Sequence, residues 1–124
     1  METPKRKFDL EDRLIDFAVV ATEIVELLPN NRTANHIAGQ LARSSTSPML
    51  NYGEAQAAES RNDFIHKMKV CLKELKETFV CLKFIGKKNY VSNVQLLETV
   101  KKENDELISI FTKSLTTAQQ NQKK

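Results

Sequence analysis

Four stretches with apolar residues three and four positions apart run through the 124-residue chain. This spacing places the apolar side chains on one face of an α-helix, whereas a half-buried strand would alternate at every second residue. Helices are predicted over residues 9–28, 33–57, 61–86 and 92–117, with a polar tail over 118–124. Each helix has one apolar face to bury, so the four must share a core.

The predicted connections are short, which makes neighbouring helices antiparallel. The predicted fold is therefore all-α, an up-down-up-down four-helix bundle that forms a single domain over residues 1–124. Tryptophan is absent and glycine and proline number three each, a composition that favours helix.

Residues that commonly cap helices mark three of the predicted starts and one predicted end. Thr33, Ser60 and Ser92 are the predicted N-caps, because their hydroxyls can accept from free backbone N–H groups. Gly86 is predicted to end the third helix.

The stretch RSSTSPMLNYGEA, residues 43–55, has the composition of a loop, yet a helical spacing resumes after it. We interpret it as the interior of the second helix, kinked near Pro48, because proline lacks an N–H and clashes with the carbonyl of Ser44. Asn51 and Glu54 lie three residues apart on one face. We predict that they hydrogen-bond across helices or subunits.

Charge is unevenly distributed along a chain whose formal net charge is +3. The first predicted helix is acidic, and the third is rich in lysine. Five of these lysines fall within an arc of about 80° at 100° per residue: Lys69, Lys73, Lys76, Lys83 and Lys87. Such a row can contact phosphates, but it is equally typical of a solvated face or of a face that complements the acidic first helix.

The third helix also carries a second set of apolar residues, about 140–180° from its main apolar face. The set comprises Val70, Cys81 and Phe84, with Ile85 closer to the main face. We predict that these residues form an interface with another subunit, the alternative being scattered surface residues.

No pattern of catalytic or metal-binding residues is found, so we expect no enzyme activity, no cofactor and no metal. His36 and His66 lack a nucleophile or ligand partner at useful spacing, and the glycines are isolated. Cys71 and Cys81 would lie about 15 Å apart on one helix, beyond disulfide reach. With no signal peptide and no apolar run long enough to span a bilayer, we expect a soluble, cytoplasmic protein without a membrane partner.

The segment QLARSSTSPMLNYGEAQAAESRNDFIHKMKVCLKELKET resembles the four-helix-bundle family of proteins encoded by intervening sequences in bacterial 23S rRNA genes. Accessory variability proteins of diversity-generating retroelements are similar to this family. The matching residues are Gln40, Leu41, Arg43, Ser47, Asn51, Glu54, Phe64, Glu74 and Leu75. The departures from the family pattern are Ser44, Pro48, Tyr52, Gly53 and Ala55.

The resemblance implies a ring-like homopentamer, and structural roles for Gln40, Ser47, Asn51, Glu54 and Glu74. It also implies nucleic-acid binding or a reverse transcriptase as partner. Our leading hypothesis is a non-enzymatic, oligomeric protein that binds RNA or DNA through Arg43 and the five lysines. The alternatives are a protein-interaction scaffold, such as an accessory partner of a reverse transcriptase, and a structural remnant of a mobile element.

Overall fold

The computed structural model describes residues 9–122, and within that range it contains four helices and no strand. The helices are α1 (Leu10–Leu27), α2 (Arg32–Gln56), α3 (Arg61–Lys87) and α4 (Val94–Gln122). The predicted all-α four-helix bundle is confirmed. Residues 1–8 of the predicted domain and residues 123–124 of the predicted tail lie outside the described part.

Cross-helix pairs show that α2 runs opposite to α3, and that α3 runs opposite to α4, where Leu75 meets Asn104 and Gly86 meets Leu97. Between α2 and α3, Glu54 pairs with Lys67, whereas Ser44, ten residues earlier, meets Thr78, eleven residues later. Each helix contacts the next along the chain, and α1 closes the bundle against α4. No contact links α1 to α3 within the described residues, so these two helices lie on a diagonal.

Two predicted N-caps are wrong, and one is confirmed. Asn31, rather than Thr33, caps α2, with its Oδ1 accepting from the N–H of Ala34 at 2.8 Å. Asn93, rather than Ser92, caps α4 by the same geometry. Asparagine is the stronger capping residue, which explains why it takes the position from a nearby threonine. Ser60 caps α3 as predicted.

Two predicted ends are also corrected. Gly86 lies inside α3 and packs against Leu97, and the left-handed residue beyond the helix is Asn89, with φ 55°. Asparagine tolerates this conformation better than most residues. Residues 118–122, predicted as a polar tail, belong to α4, because buried Ala118 continues its apolar face.

Helix α2 continues through Pro48, so the serine-rich stretch is helix interior as predicted, and the kink near Pro48 stays a prediction. Glu54 hydrogen-bonds across to Lys67 of α3 at 2.6 Å, as predicted. Among the described residues, Asn51 makes no such bond to another helix: its Nδ2 donates to Ser47 within α2, to the carbonyl at 3.1 Å and to Oγ at 2.9 Å, and a bond to another subunit stays a prediction. A polar side chain one turn away offers a nearer partner than any other helix.

The apolar faces of all four helices meet in one core, whose largest fully buried side chains include Phe111, Leu14, Ile24, Leu75 and Leu82. Removing methyl groups from such a site costs the lost transfer free energy and leaves a cavity.

Leu82 and Leu50 offer a matched pair for testing this core, since Leu82 is 0% exposed and Leu50 is 61% exposed. We expect Leu82→Ala to lower the free energy of unfolding by about 3 to 5 kcal/mol. Leu50→Ala should change it by less than about 0.5 kcal/mol. Urea unfolding followed by circular dichroism measures both, and equal losses would contradict the assigned core.

A layer of polar side chains interrupts this core at mid-height. Its members are all 0% exposed: Ser44, Ser45, Thr78 and Asn104. The Ser44 and Thr78 hydroxyl oxygens lie 2.8 Å apart, and Thr78 also donates to the Glu74 carbonyl at 2.9 Å. Because Thr78 has a single hydroxyl proton, Ser44 must donate in the bond between the two hydroxyls.

The other half of the layer is only partly satisfied. Asn104 Nδ2 donates to the Leu75 carbonyl at 3.0 Å, but Asn104 Oδ1 and Ser45 Oγ have no partner among the described residues. Ser45 lies seven residues before Tyr52 in α2, and Asn104 lies seven residues before Phe111 in α4. The rings of Tyr52 and Phe111 meet at 6.0 Å between centroids. Since α2 and α4 run in the same direction, Ser45 and Asn104 occupy the same level of the bundle.

We therefore expect substitution by alanine to have opposite effects on the free energy of unfolding at the adjacent residues Ser44 and Ser45. Ser45→Ala removes a buried hydroxyl without a partner, so we expect the free energy of unfolding to rise by about 1 kcal/mol. Ser44→Ala deprives Thr78 of a partner, so we expect a fall of about 1 kcal/mol. Denaturant midpoints of the two variants, at unchanged slope, measure the difference. A loss in both variants would show that Ser45 has a partner after all.

Candidate nucleic-acid interface

The five predicted lysines form one exposed row on α3, here called the lysine row: Lys69, Lys73, Lys76, Lys83 and Lys87. The opposite face of the helix packs into the core through Leu75 and Leu82, both 0% exposed. From first to last the row spans about 27 Å, at 1.5 Å rise per residue. Because the opposite face is packed in the core, the five lysine side chains lie on the solvent side of α3.

Few of these ammonium groups are neutralised by the chain itself. The Nζ of Lys73 lies 3.9 Å from a carboxylate oxygen of Glu74, and the Nζ of Lys83 lies 5.3 Å from the centre of the Phe79 ring. Lys69, Lys76 and Lys87 have no ion-pair partner within residues 9–122. The acidic α1 does not reach α3, so the interpretation that the lysines complement the first helix of their own subunit is wrong.

Arg43 lies outside the lysine row and is occupied by carboxylates. Its Nη1 donates to Glu74 at 2.7 Å, and its Nη2 donates to both oxygens of Glu77 and to Gln40 at 3.1 Å. The hydrogen bonds to Glu77 and Glu74 raise the pKa of the arginine. With its guanidinium bound in this way, Arg43 is not free to contact a phosphate as predicted.

Arg43 and its partners Glu74, Glu77 and Gln40, here called the Arg43 cluster, affect the electrostatic field of the lysine row. Glu74 and Glu77 are the acidic residues nearest the middle of the row, and Glu74 is 7% exposed in its side chain. A single arginine from α2 binds both of them, which leaves the field of the lysines less opposed. Sequence reasoning missed this cluster, although Glu74 was assigned a structural role. Pairing residue 43 with residues 74 and 77 requires the register between two helices.

Two of the predicted interface residues belong to the subunit's own core. Cys81 is 7% exposed and Ile85 is 0% exposed, so the prediction of an intersubunit role is wrong for both. Helix α3 packs against α2 and α4 together and therefore buries a wider arc than a single apolar face. Val70 and Phe84 are half-buried, and the Phe84 ring meets Tyr90 edge-on at 6.3 Å between centroids.

The exposed apolar residue of this face is Val80, which is 61% exposed and was not predicted. It lies four residues after Lys76 and three before Lys83, so it sits within the lysine row. The same helical spacing that identified the lysines was sufficient to find it.

Other kinds of site find no support within residues 9–122. No group of three histidine, cysteine, aspartate or glutamate side chains there could hold a metal ion. Burial raises the pKa of the Cys71 thiol to about 12, and it also raises that of Cys81, so neither forms a reactive thiolate near neutral pH. None of the four helices is long and apolar enough to cross a membrane.

Comparison with known proteins places the chain in a family. The family model described as 23S rRNA-intervening sequence protein matches residues 6–113. The chain belongs to the 23S rRNA-intervening sequence protein family. The resemblance carried by residues 40–78 is thereby confirmed. No curated protein matches the chain significantly.

A solved structure supports the same assignment for this 23S rRNA-intervening sequence protein. It is the crystal structure of a protein of unknown function from the S23 ribosomal protein family of Bacteroides thetaiotaomicron VPI-5482. The two are 28% identical, with a TM-score of 0.77, and the match covers 85% of this chain and 96% of the other. The bundle is thus similar over nearly the whole length of that protein.

The Arg43 cluster predicts a specific stability defect. Arg43→Met should lower the melting temperature, because it leaves the buried carboxylate of Glu74 with only the exposed Lys73 ammonium, at 3.9 Å, as a counter-ion. Adding Glu74→Gln should recover part of the loss, since a neutral amide needs no cation. Lys67→Met is the control, because its partner Glu54 is 59% exposed and its loss should matter less. Thermal unfolding of wild type and the three variants would contradict the cluster's role if the double variant were less stable than Arg43→Met.

Proposed function

We propose that this chain is a non-enzymatic protein that binds RNA or DNA through the lysine row. The observation that carries the proposal is the line of five exposed cations on one face of a single helix. Lysine acts on phosphate as a point charge, so such a line gives affinity for a nucleic-acid backbone without base readout. The bound state of Arg43 restricts the proposed contacts to the five lysines.

We also propose that the protein acts in the cytoplasm as a homo-oligomer. A pentamer is expected on the resemblance alone. Half-buried Val70 and Phe84 and exposed Val94 are apolar groups that a neighbouring subunit could cover. Repetition of the lysine row around a ring would raise avidity without any new kind of contact.

A protein-interaction scaffold is the second candidate, with a reverse transcriptase as one possible partner. The observation that favours it is Val80, whose exposed side chain lies among the lysines. Apolar surface within a charged rim is typical of a protein interface.

Charge reversal tests the leading proposal. The triple variant Lys69→Glu, Lys76→Glu and Lys87→Glu should lower affinity for RNA or DNA on the order of 100-fold or more, because each lysine removed weakens phosphate contact. The triple variant Arg32→Glu, Lys102→Glu and Lys113→Glu has the same net charge but leaves α3 unchanged, and should lose at least tenfold less affinity. Fluorescence anisotropy with labelled oligonucleotides measures both.

The salt dependence provides a second readout of the same proposal. Wild-type affinity should fall steeply between 50 and 200 mM salt, as expected when phosphate contacts release counterions. Absence of binding at 50 mM salt would overturn nucleic-acid recognition. A protein partner whose capture survives nuclease treatment and is lost in Val80→Glu would then support the scaffold.

A further inference from the structure

The lysine row is not evenly spaced along α3. Lys69, Lys73 and Lys76 form one group and Lys83 and Lys87 form another, separated by a lysine-free stretch over residues 77–82. The centres of the two groups lie about 18 Å apart at 1.5 Å rise per residue.

We infer that the two lysine groups contact the two phosphate strands on either side of a groove, so that the ligand is a double helix. This inference rests on the proposed function and names the form of nucleic acid that it takes. The major groove of B-DNA is about 12 Å wide, and the phosphate centres on its two sides lie roughly 18 Å apart once the rims are included. Helix α3 would thus cross the groove, with one lysine group on each rim.

The side chain that faces outward between the groups fits this arrangement. Val80 is 61% exposed and uncharged, and it would lie above the groove, where no phosphate needs neutralising. A single strand that followed the row would instead meet a gap in positive charge at this point. Glu77 faces the same gap, but Arg43 of α2 binds its carboxylate.

The aromatic residues also argue against a single-stranded ligand. Proteins that hold single strands stack bases on exposed aromatic rings. Within residues 9–122 every phenylalanine and tyrosine is buried or half-buried, and the Phe79 ring is approached by Lys83. The lysine row therefore offers charge without a stacking platform, which suits a duplex whose bases are already stacked.

The spacing of the two groups is held rigidly by the fold. Leu75, two residues before the lysine-free stretch, and Leu82, at its end, are both held in the core at 0% exposure. Arg43 ties the same part of α3 to α2 through Glu74 and Glu77. The lysine row also lacks arginine, asparagine and glutamine, the side chains that pair with base edges, so binding should be insensitive to sequence.

The test compares four probes of 16 nucleotides or base pairs and mixed sequence: duplex RNA, duplex DNA and the corresponding single strands. The full chain should bind at least one duplex at least tenfold more tightly than either single strand in fluorescence anisotropy at fixed salt. Equal or tighter binding of single strands would overturn this inference and leave the proposed function intact. Absence of binding to all four probes would overturn the proposed function itself.

Variants of the lysine row provide a sharper test. Lys73→Gln with Lys76→Gln, and Lys83→Gln with Lys87→Gln, should each lower duplex affinity at least tenfold, because each pair serves one strand. Val80→Lys fills the gap and should raise duplex affinity less than threefold. A rise of tenfold or more with Val80→Lys would indicate one continuous strand along the row and overturn the inference. Circular dichroism melting shows whether each variant is folded.

Discussion

The ion pairs of Arg43 are the interaction on which the lysine row depends. Helix α3 carries both the lysines and two acidic residues at its middle, and these two features oppose each other electrostatically. A guanidinium bound to Glu74 and Glu77 at once settles the conflict, because its planar fork can serve two carboxylates. A lysine at position 43 would present a point charge and could not hydrogen-bond the Glu74 and Glu77 carboxylates through two separate nitrogens, as the guanidinium does.

The same contact links stability with function. Glu74 is buried between α2 and α3, and its charge is tolerable there because Arg43 supplies a partner from the facing helix. The pair therefore joins the two helices at the level of the first lysine group, just before the lysine-free stretch. A chain that lost this pair would both weaken the bundle and place negative charge beside its proposed binding surface.

Much of the fold could be predicted from the sequence, because apolar spacing depends only on position along one helix. The helix interior around Pro48 was predicted for the same reason, and the family followed from residues 40–78. Sequence reasoning did less well on which of several nearby residues caps a helix, and on whether a side chain bonds within its own helix or to another. Asn31 displaced Thr33 as a cap, and Asn51 found its partner in its own helix.

The candidate site was predictable to a similar degree. The exposure of the lysine row followed from one helical wheel. The assignment of Cys81 and Ile85 to the core did not, since it depends on how far α2 and α4 wrap around α3. The partners of Arg43 depend on a register that no local spacing contains.

The polar layer of Ser44, Ser45, Thr78 and Asn104 has a consequence for how the chain finds its partners among its own helices. Leucine-rich faces can slide past one another by a turn at little cost, since one methyl group fits nearly as well as the next. A slid arrangement would place Asn104 and Thr78 against apolar side chains and break the cross-helix hydrogen bonds between Thr78 and Ser44 and from Asn104 to the Leu75 carbonyl. The polar layer therefore destabilises bundles with a shifted helix register more than it destabilises the observed one, and so favours a single alignment of the helices.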